Sequence, residues 1–191
     1  MIKNRSTKEL LIESFLELSA KYPFDKISVT DIINNCGVSR KSFYNTFQDK
    51  YDLVEYIHAK SLENLQNQFI NESPFLMAQN MVEYYKEHIA VYKSLSRSKH
   101  ESIFQTIYRT SYNLTIKYIL HKSNLKELPK DEAEVVSLHV HGIVTKMIEW
   151  INNPQSADVK DIAKYIVFSE PVCMQKRINL NIPSEYSIHK L

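Results

Sequence analysis

Residues 28–47 read Ser-Val-Thr-Asp-Ile-Ile-Asn-Asn-Cys-Gly-Val-Ser-Arg-Lys-Ser-Phe-Tyr-Asn-Thr-Phe and carry the strongest structural signal in the chain. Ser28 and Asp31 have the spacing of a capping box, which predicts the start of a short helix. Gly37 follows, and glycine supplies at low cost the positive φ that a tight turn between crossed helices needs. Ser39 then predicts the N-cap of a second short helix. The stretch is therefore predicted to form a helix-turn-helix.

The second helix of this motif begins with two basic residues, Arg40 and Lys41. In a DNA-binding helix-turn-helix this end enters the major groove, and its free backbone N–H groups favour phosphate. Short helical hairpins with a glycine turn also occur in all-α proteins that bind no DNA, so geometry alone leaves both functions open. The basic pair at the start of an exposed helix favours DNA binding.

The chain of 191 residues contains two glycines, Gly37 and Gly142. Sheets, Rossmann folds and phosphate-binding loops need more glycines than this, so those classes are excluded. Prolines fall between segments of helical periodicity, where helices start or stop. The predicted fold is all-α: a three-helix DNA-binding domain over 1–50, a helical effector-binding and dimerisation bundle over 51–170, and an irregular tail over 171–191.

The composition is typical of a globular protein, with 43% hydrophobic and 24% charged residues. No apolar run approaches the roughly 18 residues of a membrane span, and the first residues contain no apolar signal-peptide core. The predicted location is therefore cytoplasmic, and the distant Cys36 and Cys173 are expected to be free thiols. The net charge of +2 is too small to indicate nucleic-acid binding by itself.

The motif and its flanks resemble the TetR family of transcriptional regulators. The resemblance is carried within residues 27–53 by the capped Ser-Val-Thr helix, the Gly-Val-Ser turn, the Phe-Tyr pair at 43–44 and the Asp-Lys pair at 49–50. It implies a helical protein in which an N-terminal DNA-binding domain precedes a variable domain for ligand binding and dimerisation. The expected partners are double-stranded operator DNA, a second copy of the chain, and a small-molecule effector or partner protein.

The resemblance also implies a role for each matching residue. The helix that abuts the DNA backbone begins with Ser28, Val29 and Thr30. Base reading and nearby phosphate contacts are implied for Arg40, Lys41, Ser42 and Asn45 beside the cap Ser39, phosphate clamping for Tyr44 and Lys50, and an N-terminal arm contact for Lys3 and Arg5.

Two departures from the family pattern limit what can be carried over. Lys41 stands where many members have glycine, so the operator sequence of another member cannot be assumed for this chain. The loop at 22–26 also lacks a glycine that is frequent in the family. The run at 40–45 also resembles a subgroup similar to activators of dihydroxyacetone-kinase operons. The predicted function is a ligand-responsive repressor that binds a palindromic operator as a homodimer. The alternative is an activator that works with a partner protein.

Two C-terminal helices, at about 131–152 and 157–169, have long apolar faces, and in the first the spacing is 4-3-4-3, typical of a helix-packing seam. Ser156 is the predicted cap of the second. Gly142 lies within the first, where glycine is unfavourable, and this favours close approach by another helix. The predicted homodimer interface consists of Val136, Val140, Gly142, Ile143, Met147, Trp150, Ile162 and Ile166.

Aromatic residues are concentrated between 84 and 118. Rings between bundled helices supply apolar area with a polar tip, as effector pockets require. Each ring alone is more commonly a core or surface residue, but the group favours a cavity for an unidentified effector. The predicted pocket residues are Tyr84, Tyr85, Phe104, Tyr108 and Tyr112.

No catalytic, metal or cofactor site is predicted. His139 and His141 are two residues apart, so on a helix their side chains diverge by roughly 200° and cannot chelate one metal ion. No nucleophile–base pair or carboxylate pair stands at a readable spacing. An enzyme or a protein-binding adaptor remains the weaker alternative, and retention on non-specific DNA at low salt would distinguish a DNA-binding protein from both.

Overall fold

A computed structural model describes residues 5–98 and 101–180. Every regular element in these ranges is helical, which confirms the all-α prediction. The helices are α1 (Thr7–Ser19), α2 (Val29–Cys36), α3 (Arg40–Tyr44), α4 (Lys50–Phe69), α5 (Pro74–Glu87), α6 (Ile89–Ser96), α7 (Glu101–Ser123), α8 (Lys130–Asn152), α9 (Val159–Phe168) and α10 (Val172–Arg177), with a 3-10 turn at Phe24–Lys26. None of the described helices has the length and apolar character to cross a membrane.

The caps of the first helices follow the local sequence signals. Ser28 Oγ accepts a hydrogen bond from the Asp31 amide at 3.1 Å, and the Asp31 carboxylate accepts the Ser28 amide at 2.8 Å. The Ser28 hydroxyl also donates to this carboxylate at 2.6 Å, and this bond together with the one from the Ser28 amide holds the pKa of Asp31 below its usual range. Gly37 ends α2 with φ +69°, as the turn required, and Ser39 caps α3. Helix α3 ends at Tyr44, so residues 45–47 of the motif lie beyond it.

Helices α1 to α3 form the N-terminal head around a dense apolar core. Phe15, Phe24 and Phe43 are almost completely buried there, and the Phe15 and Phe24 rings meet edge to face at 6.2 Å between centroids. Edge-to-face pairs of this kind add to the stabilisation that burial provides. The head is thus a small unit with a well-filled centre.

Helices α4 to α10 form the body, and α4 joins it to the head. Helix α5 packs against α9, while α7 lies between α4 and α8. Helix α6 contacts both α1 and α8. Ser94 on α6 donates a hydrogen bond to the Tyr22 carbonyl at 3.0 Å, and Ser98 donates to the Asp25 carboxylate at 2.6 Å. The segment from Tyr22 to Lys26 is therefore a second junction between head and body.

Two local predictions for the C-terminal part are wrong. The cap of α9 is Asp158, whose carboxylate accepts the Asp161 amide at 2.8 Å, and not Ser156. The tail is not irregular over its first part, because Val172–Arg177 forms α10. Arg177 holds this helix to α8 through a bidentate ion pair with Glu132, at 2.9 and 3.1 Å. Residues 181–191 of the predicted tail lie outside the described residues.

Candidate DNA-binding surface and effector cavity

Hydrogen bonds from α1 fix the position of α2. The buried Ser14 hydroxyl donates to the Ile32 carbonyl at 2.7 Å and accepts from the Asn35 side-chain amide at 3.2 Å. Asn35 also donates to Glu17 at 3.0 Å. Because these side chains clamp α2 along its length, α3 is presented from a rigid support. Sequence periodicity did not single out Ser14 or Asn35, since neither is apolar.

Helix α3 buries one face and exposes the other. Phe43 is fully buried beneath it, against Phe47 at 6.2 Å between ring centroids. The predicted base-reading face is in solvent, since five predicted DNA-binding residues are exposed and Ser42 is half-buried. The exposed set is Ser39, Arg40, Lys41, Tyr44 and Asn45.

Arg40 lies across the surface between the two helices of the motif. Its guanidinium is 3.4 Å from the Thr30 hydroxyl on α2 and 5.7 Å from the centre of the Tyr44 ring. The Tyr44 side chain is 48% exposed, so its hydroxyl is free to meet a phosphate. Ser28 and Thr30 are exposed at the start of α2, and Val29 is half-buried. The structure thus brings both helix starts to one basic and hydroxyl-rich surface.

Lys50, which is predicted to clamp phosphate, makes two contacts within the protein. Its ammonium donates to the carbonyls of Phe24 and Ile27 at 3.0 and 2.8 Å, and it stands 4.2 Å from the centre of the Phe24 ring. Partial burial lowers the pKa of Lys50. These contacts tie the start of α4 to the turn after α1, so Lys50 positions the head. Sequence pattern could not show this, because the two carbonyls belong to a distant loop.

The predicted N-terminal arm is only partly within the described residues. Lys3 lies outside them. Arg5 forms an exposed ion pair with Glu13 at 2.6 Å, which holds it along α1. Exposed pairs of this kind contribute about 0–1 kcal/mol, so DNA phosphate can replace the glutamate.

The predicted dimer interface on α8 and α9 is wrong in most of its residues. Five of them are buried within the protomer, and two others line the cavity described next. The buried residues are Val136, Val140, Met147, Trp150 and Ile162, and the cavity-lining ones are Ile143 and Ile166. Only Gly142 is exposed, and no atom lies within 4 Å of where a Cβ would stand on it. The heptad spacing identified residues that are buried in the core of one protomer. Burial within a protomer and burial between protomers give the same periodicity, so the spacing could not distinguish them.

The body contains an apolar cavity of about 170 Å³. It extends from Leu62 and Leu65 on α4 to Met174 on α10, with methionine and aliphatic side chains as most of its wall. Of the predicted pocket residues, Tyr85 lines it. The prediction is wrong for the other four, which are Tyr84, Phe104, Tyr108 and Tyr112.

The predicted rings that do not line the cavity pack against other residues. Phe104 and Tyr108 pack on the ring of His141, at 4.9 and 5.1 Å between centroids. Tyr84 stacks on His88 at 4.3 Å. The aromatic cluster indicated the region of the cavity but not the residues that line it. Tertiary packing sets the orientation of each ring, and the sequence does not show it.

Among the polar cavity-lining residues that the sequence reasoning missed, two have strongly shifted pKa values. His139 and Glu170 both reach the cavity wall. Burial lowers the pKa of His139 to about 4 and raises the pKa of Glu170 to about 7. Glu170 lies between the end of α9 and Pro171, outside any helix. Helical periodicity therefore could not predict that it is buried. Within the described part of the chain, no cluster of acidic, histidine or cysteine side chains has the arrangement of a metal site.

Two family profiles match the chain. The profile described as "Bacterial regulatory proteins, tetR family" matches residues 11–57, and the one described as "Transcriptional regulator C-terminal region" matches residues 72–168. The first covers the helix-turn-helix and the start of α4. The second covers the body from before α5 to the end of α9, about half of the chain.

Individual relatives agree with these profiles. The chain is 30% identical over 67 residues to the HTH-type dhaKLM operon transcriptional activator DhaS of Lactococcus lactis, a match that spans 35% of this chain and 36% of that protein. A solved structure of the dihydroxyacetone kinase operon activator DhaS superposes with TM-score 0.60 at 18% identity, over 91% of this chain and 96% of that one. A TetR transcriptional regulator from Streptococcus agalactiae superposes with TM-score 0.61 at 16% identity, over 83% and 90%. At such identities the two structures show a shared fold.

Proposed function

The chain belongs to the TetR family of bacterial transcriptional regulators, and we propose that it is a ligand-responsive repressor that binds a palindromic operator as a homodimer. Regulators of this family are not enzymes, so the enzyme alternative falls away. The observation that carries the proposal is the exposed face of α3. Arg40, Lys41, Tyr44 and Asn45 stand in solvent above the buried Phe43, on a support that hydrogen bonds hold in place.

In this proposal the exposed face of α3 enters the major groove. Arg40, Lys41, Ser42 and Asn45 lie at or near the start of the helix and meet base edges and adjacent phosphates. Tyr44 meets the DNA backbone, as do the residues that begin α2, namely Ser28, Val29 and Thr30. Lys3 and Arg5 add the arm contact.

Titration of salt tests DNA binding most simply. Binding of the wild type to a labelled random-sequence duplex should weaken steeply as salt rises, because each neutralised phosphate contributes about −0.9 to the slope of log K against log salt. Replacing Arg40 and Lys41 together with alanine should make that slope shallower. Lys126→Ala, at an exposed lysine in the loop before α8, is the matched control and should behave as wild type. A wild type that is not retained at low salt would contradict the proposal.

A different face of α8 is the proposed dimer surface. Val135, Leu138, Gly142, Thr145 and Glu149 recur at 3-4-3-4 spacing and are all exposed. Leu138 is 75% exposed, which is unusual for a leucine, and the glycine on the same face allows a second helix to approach closely. A two-fold dimer through this face places two copies of α3 about 34–36 Å apart or somewhat further.

Light scattering with a charge substitution tests the dimer. The wild type should have twice the 22.4 kDa mass of the chain, and Leu138→Glu should have the mass of one chain. Leu76→Glu is the matched control, because Leu76 is also exposed but lies on α5. A wild type of one chain mass, or an unchanged mass for Leu138→Glu, would contradict this interface.

The cavity is the proposed effector site, and two elements connect it to the head. Helix α4 lines the cavity with Leu62 and begins at Lys50 in the head, while α6 lines it with Tyr92 and bonds to the Tyr22 carbonyl through Ser94. An effector that favours one arrangement of these helices changes operator affinity by its differential affinity for the two states, typically about 1–3 kcal/mol.

Activation with a partner protein is a second candidate, and the match to the activator DhaS favours it. A reporter gene behind the chain's own upstream region distinguishes the two. Deleting the regulator should raise reporter output if it represses and lower it if it activates. The exposed α3 face is needed in both cases, so Arg40→Ala should reproduce the deletion.

A further inference from the structure

The cavity in the body contains one unsatisfied polar atom. Among the side chains that the structure describes, Glu170 Oε2 is the buried oxygen or nitrogen that has no hydrogen-bond partner. A buried acceptor without a partner destabilises a fold, and native proteins rarely retain one. Because this oxygen belongs to a residue of the apolar cavity wall, a molecule bound in the cavity is placed to supply the partner.

The cavity wall carries no permanent positive charge. No lysine or arginine within residues 5–98 and 101–180 lines it, and the titratable groups of these ranges there, besides Glu170, are His139 on α8 and three tyrosines, Tyr85, Tyr92 and Tyr118. His139 is neutral near pH 7, because burial lowers its pKa to about 4. Burial also raises the pKa values of all three tyrosines, so these phenols stay protonated. Of the wall residues that the structure describes, Glu170 is thus the one that becomes charged near neutral pH.

Other polar groups on the wall already have partners. Gln66 donates to the Leu114 carbonyl at 3.1 Å, and Thr115 donates to the Ser111 carbonyl at 2.9 Å. Ser111 stands 3.4 Å from His58 Nε2. Among the described wall residues, Glu170 therefore offers a ligand the strong acceptor, and most of the surrounding wall is apolar.

We propose that Glu170 binds the positively charged amine of a small, otherwise apolar effector that fills this cavity. The proposal rests on the cavity being the effector site. An ammonium supplies both the hydrogen bond and the charge that the Glu170 carboxylate lacks, and such charge-assisted bonds are the stronger kind. A carboxylate ligand meets repulsion and finds no cation, and a neutral alcohol supplies the hydrogen bond without the charge.

The volume of the cavity sets the size of a suitable probe. At about 170 Å³ it resembles the apolar cavity of ~150 Å³ that is known to hold benzene in another protein. Benzylamine, benzyl alcohol and benzoate share one ring and differ in charge, so they form a matched series. All three are small enough to test the cavity with little rearrangement of its wall.

Isothermal titration calorimetry on the full chain tests the proposal. Benzylamine should bind at least about tenfold more tightly than benzyl alcohol, and benzoate should bind more weakly than either. Glu170→Gln keeps the shape of the side chain and should reduce benzylamine binding to the level of benzyl alcohol, whose own binding stays unchanged. Glu127→Gln, at an exposed glutamate in the loop before α8, is the control and should retain the wild-type preference.

The pH dependence provides an independent readout. Because the ammonium favours the carboxylate form, benzylamine binding should tighten between about pH 6 and pH 8 and release a proton. Benzyl alcohol binding should show no such dependence, and Glu170→Gln should abolish it for the amine. His139 and the tyrosines keep their protonation state over this range, so they do not produce the effect.

Three results would overturn the inference. Equal affinity for the amine and the alcohol, or an amine preference that survives Glu170→Gln, would refute the role of Glu170 while leaving the cavity as an effector site. Failure of every probe to bind at millimolar concentration would refute the amine-binding site as well. None of these outcomes bears on DNA binding, which the salt titration decides separately.

Discussion

The head and the body of this regulator differ in how completely their interiors are packed. In the head, Phe15, Phe24, Phe43 and Phe47 fill the centre, and the polar Ser14 is hydrogen-bonded to two partners. In the body, a cavity of about 170 Å³ stays open and Glu170 Oε2 has no partner. Close packing fixes the side chains that must match base edges, whereas a cavity leaves a place where a ligand can change the helix arrangement.

The largest effect is expected from the filled centre of the head. Phe43→Ala should lower the free energy of unfolding by about 3–5 kcal/mol, because it removes a fully buried ring and leaves a void under α3. Urea denaturation measures the loss, and DNA binding should be lost with it.

Tyr44→Ala, the neighbouring ring, is the matched control. Its side chain is 48% exposed, so the stability should change by less than about 1 kcal/mol while DNA affinity falls. Comparable stability losses for the two variants would break the contrast between the buried and the exposed faces of α3.

A second effect should come from a buried histidine where α4 enters the body. His58 lies between the Tyr92 hydroxyl and the Ser111 hydroxyl, each 3.4 Å from a ring nitrogen, and burial lowers its pKa from 6.5 to about 4. The unfolded chain binds a proton in this window and the folded chain does not, so stability should fall as pH drops from 6.5 toward 4. The loss amounts to about 3 kcal/mol.

Urea denaturation across this pH range measures the slope. His58→Gln should flatten it, although part remains because the pKa of His139 is lowered in the same direction. His121→Gln, at an exposed histidine, should leave the slope as in wild type. An unchanged slope in His58→Gln would show that this buried site does not control the acid sensitivity.

A smaller effect of opposite sign should come from Glu170. Its pKa is raised from 4.5 to about 7, so the folded chain holds a proton that the unfolded chain has released. Stability from this group is present below pH 4.5 and is lost as pH rises through 7. A shift of this size corresponds to about 3 kcal/mol, and solvent screening reduces it because Glu170 is only partly buried. Near pH 8, Glu170→Gln should therefore stabilise the protein by roughly 2 kcal/mol, as expected for a site shaped for binding.

Thermal or urea unfolding near pH 8 checks this gain, with Glu127→Gln as the control. A variant that is less stable than wild type would mean that the carboxylate has a partner within the folded chain. The buried polar groups of the cavity would then be hydrogen-bonded as fully as those of the head.

The same contrast explains what the sequence could predict. The motif of the head is built from local signals, namely the Ser28 and Ser39 caps and the positive φ of Gly37, and each acts within a few residues. Those features were therefore predictable, together with the all-helical fold. The contacts of Lys50 were not predictable, because its partners are the carbonyls of Phe24 and Ile27, more than twenty residues away.

In the body the sequence predicted burial but not the neighbours that cause it. The apolar seam of α8 is real, yet Val140 and Met147 face the protomer's own cavity and core, while Leu138 faces outward. Tyr85 lines the cavity and its neighbour Tyr84 does not. Such distinctions depend on how long helices rotate against one another, which no local spacing determines.

Selection of binding sites from a random DNA pool tests the central claim most directly. The wild type should select a palindromic sequence, and Arg40→Ala or Lys41→Ala should relax the preference at one or two base pairs in each half-site. A base-reading side chain is worth about 1–3 kcal/mol of discrimination at one position, so the change will be visible against the unchanged positions. If both variants select the same sites as the wild type and merely bind more weakly, the exposed face of α3 does not read sequence.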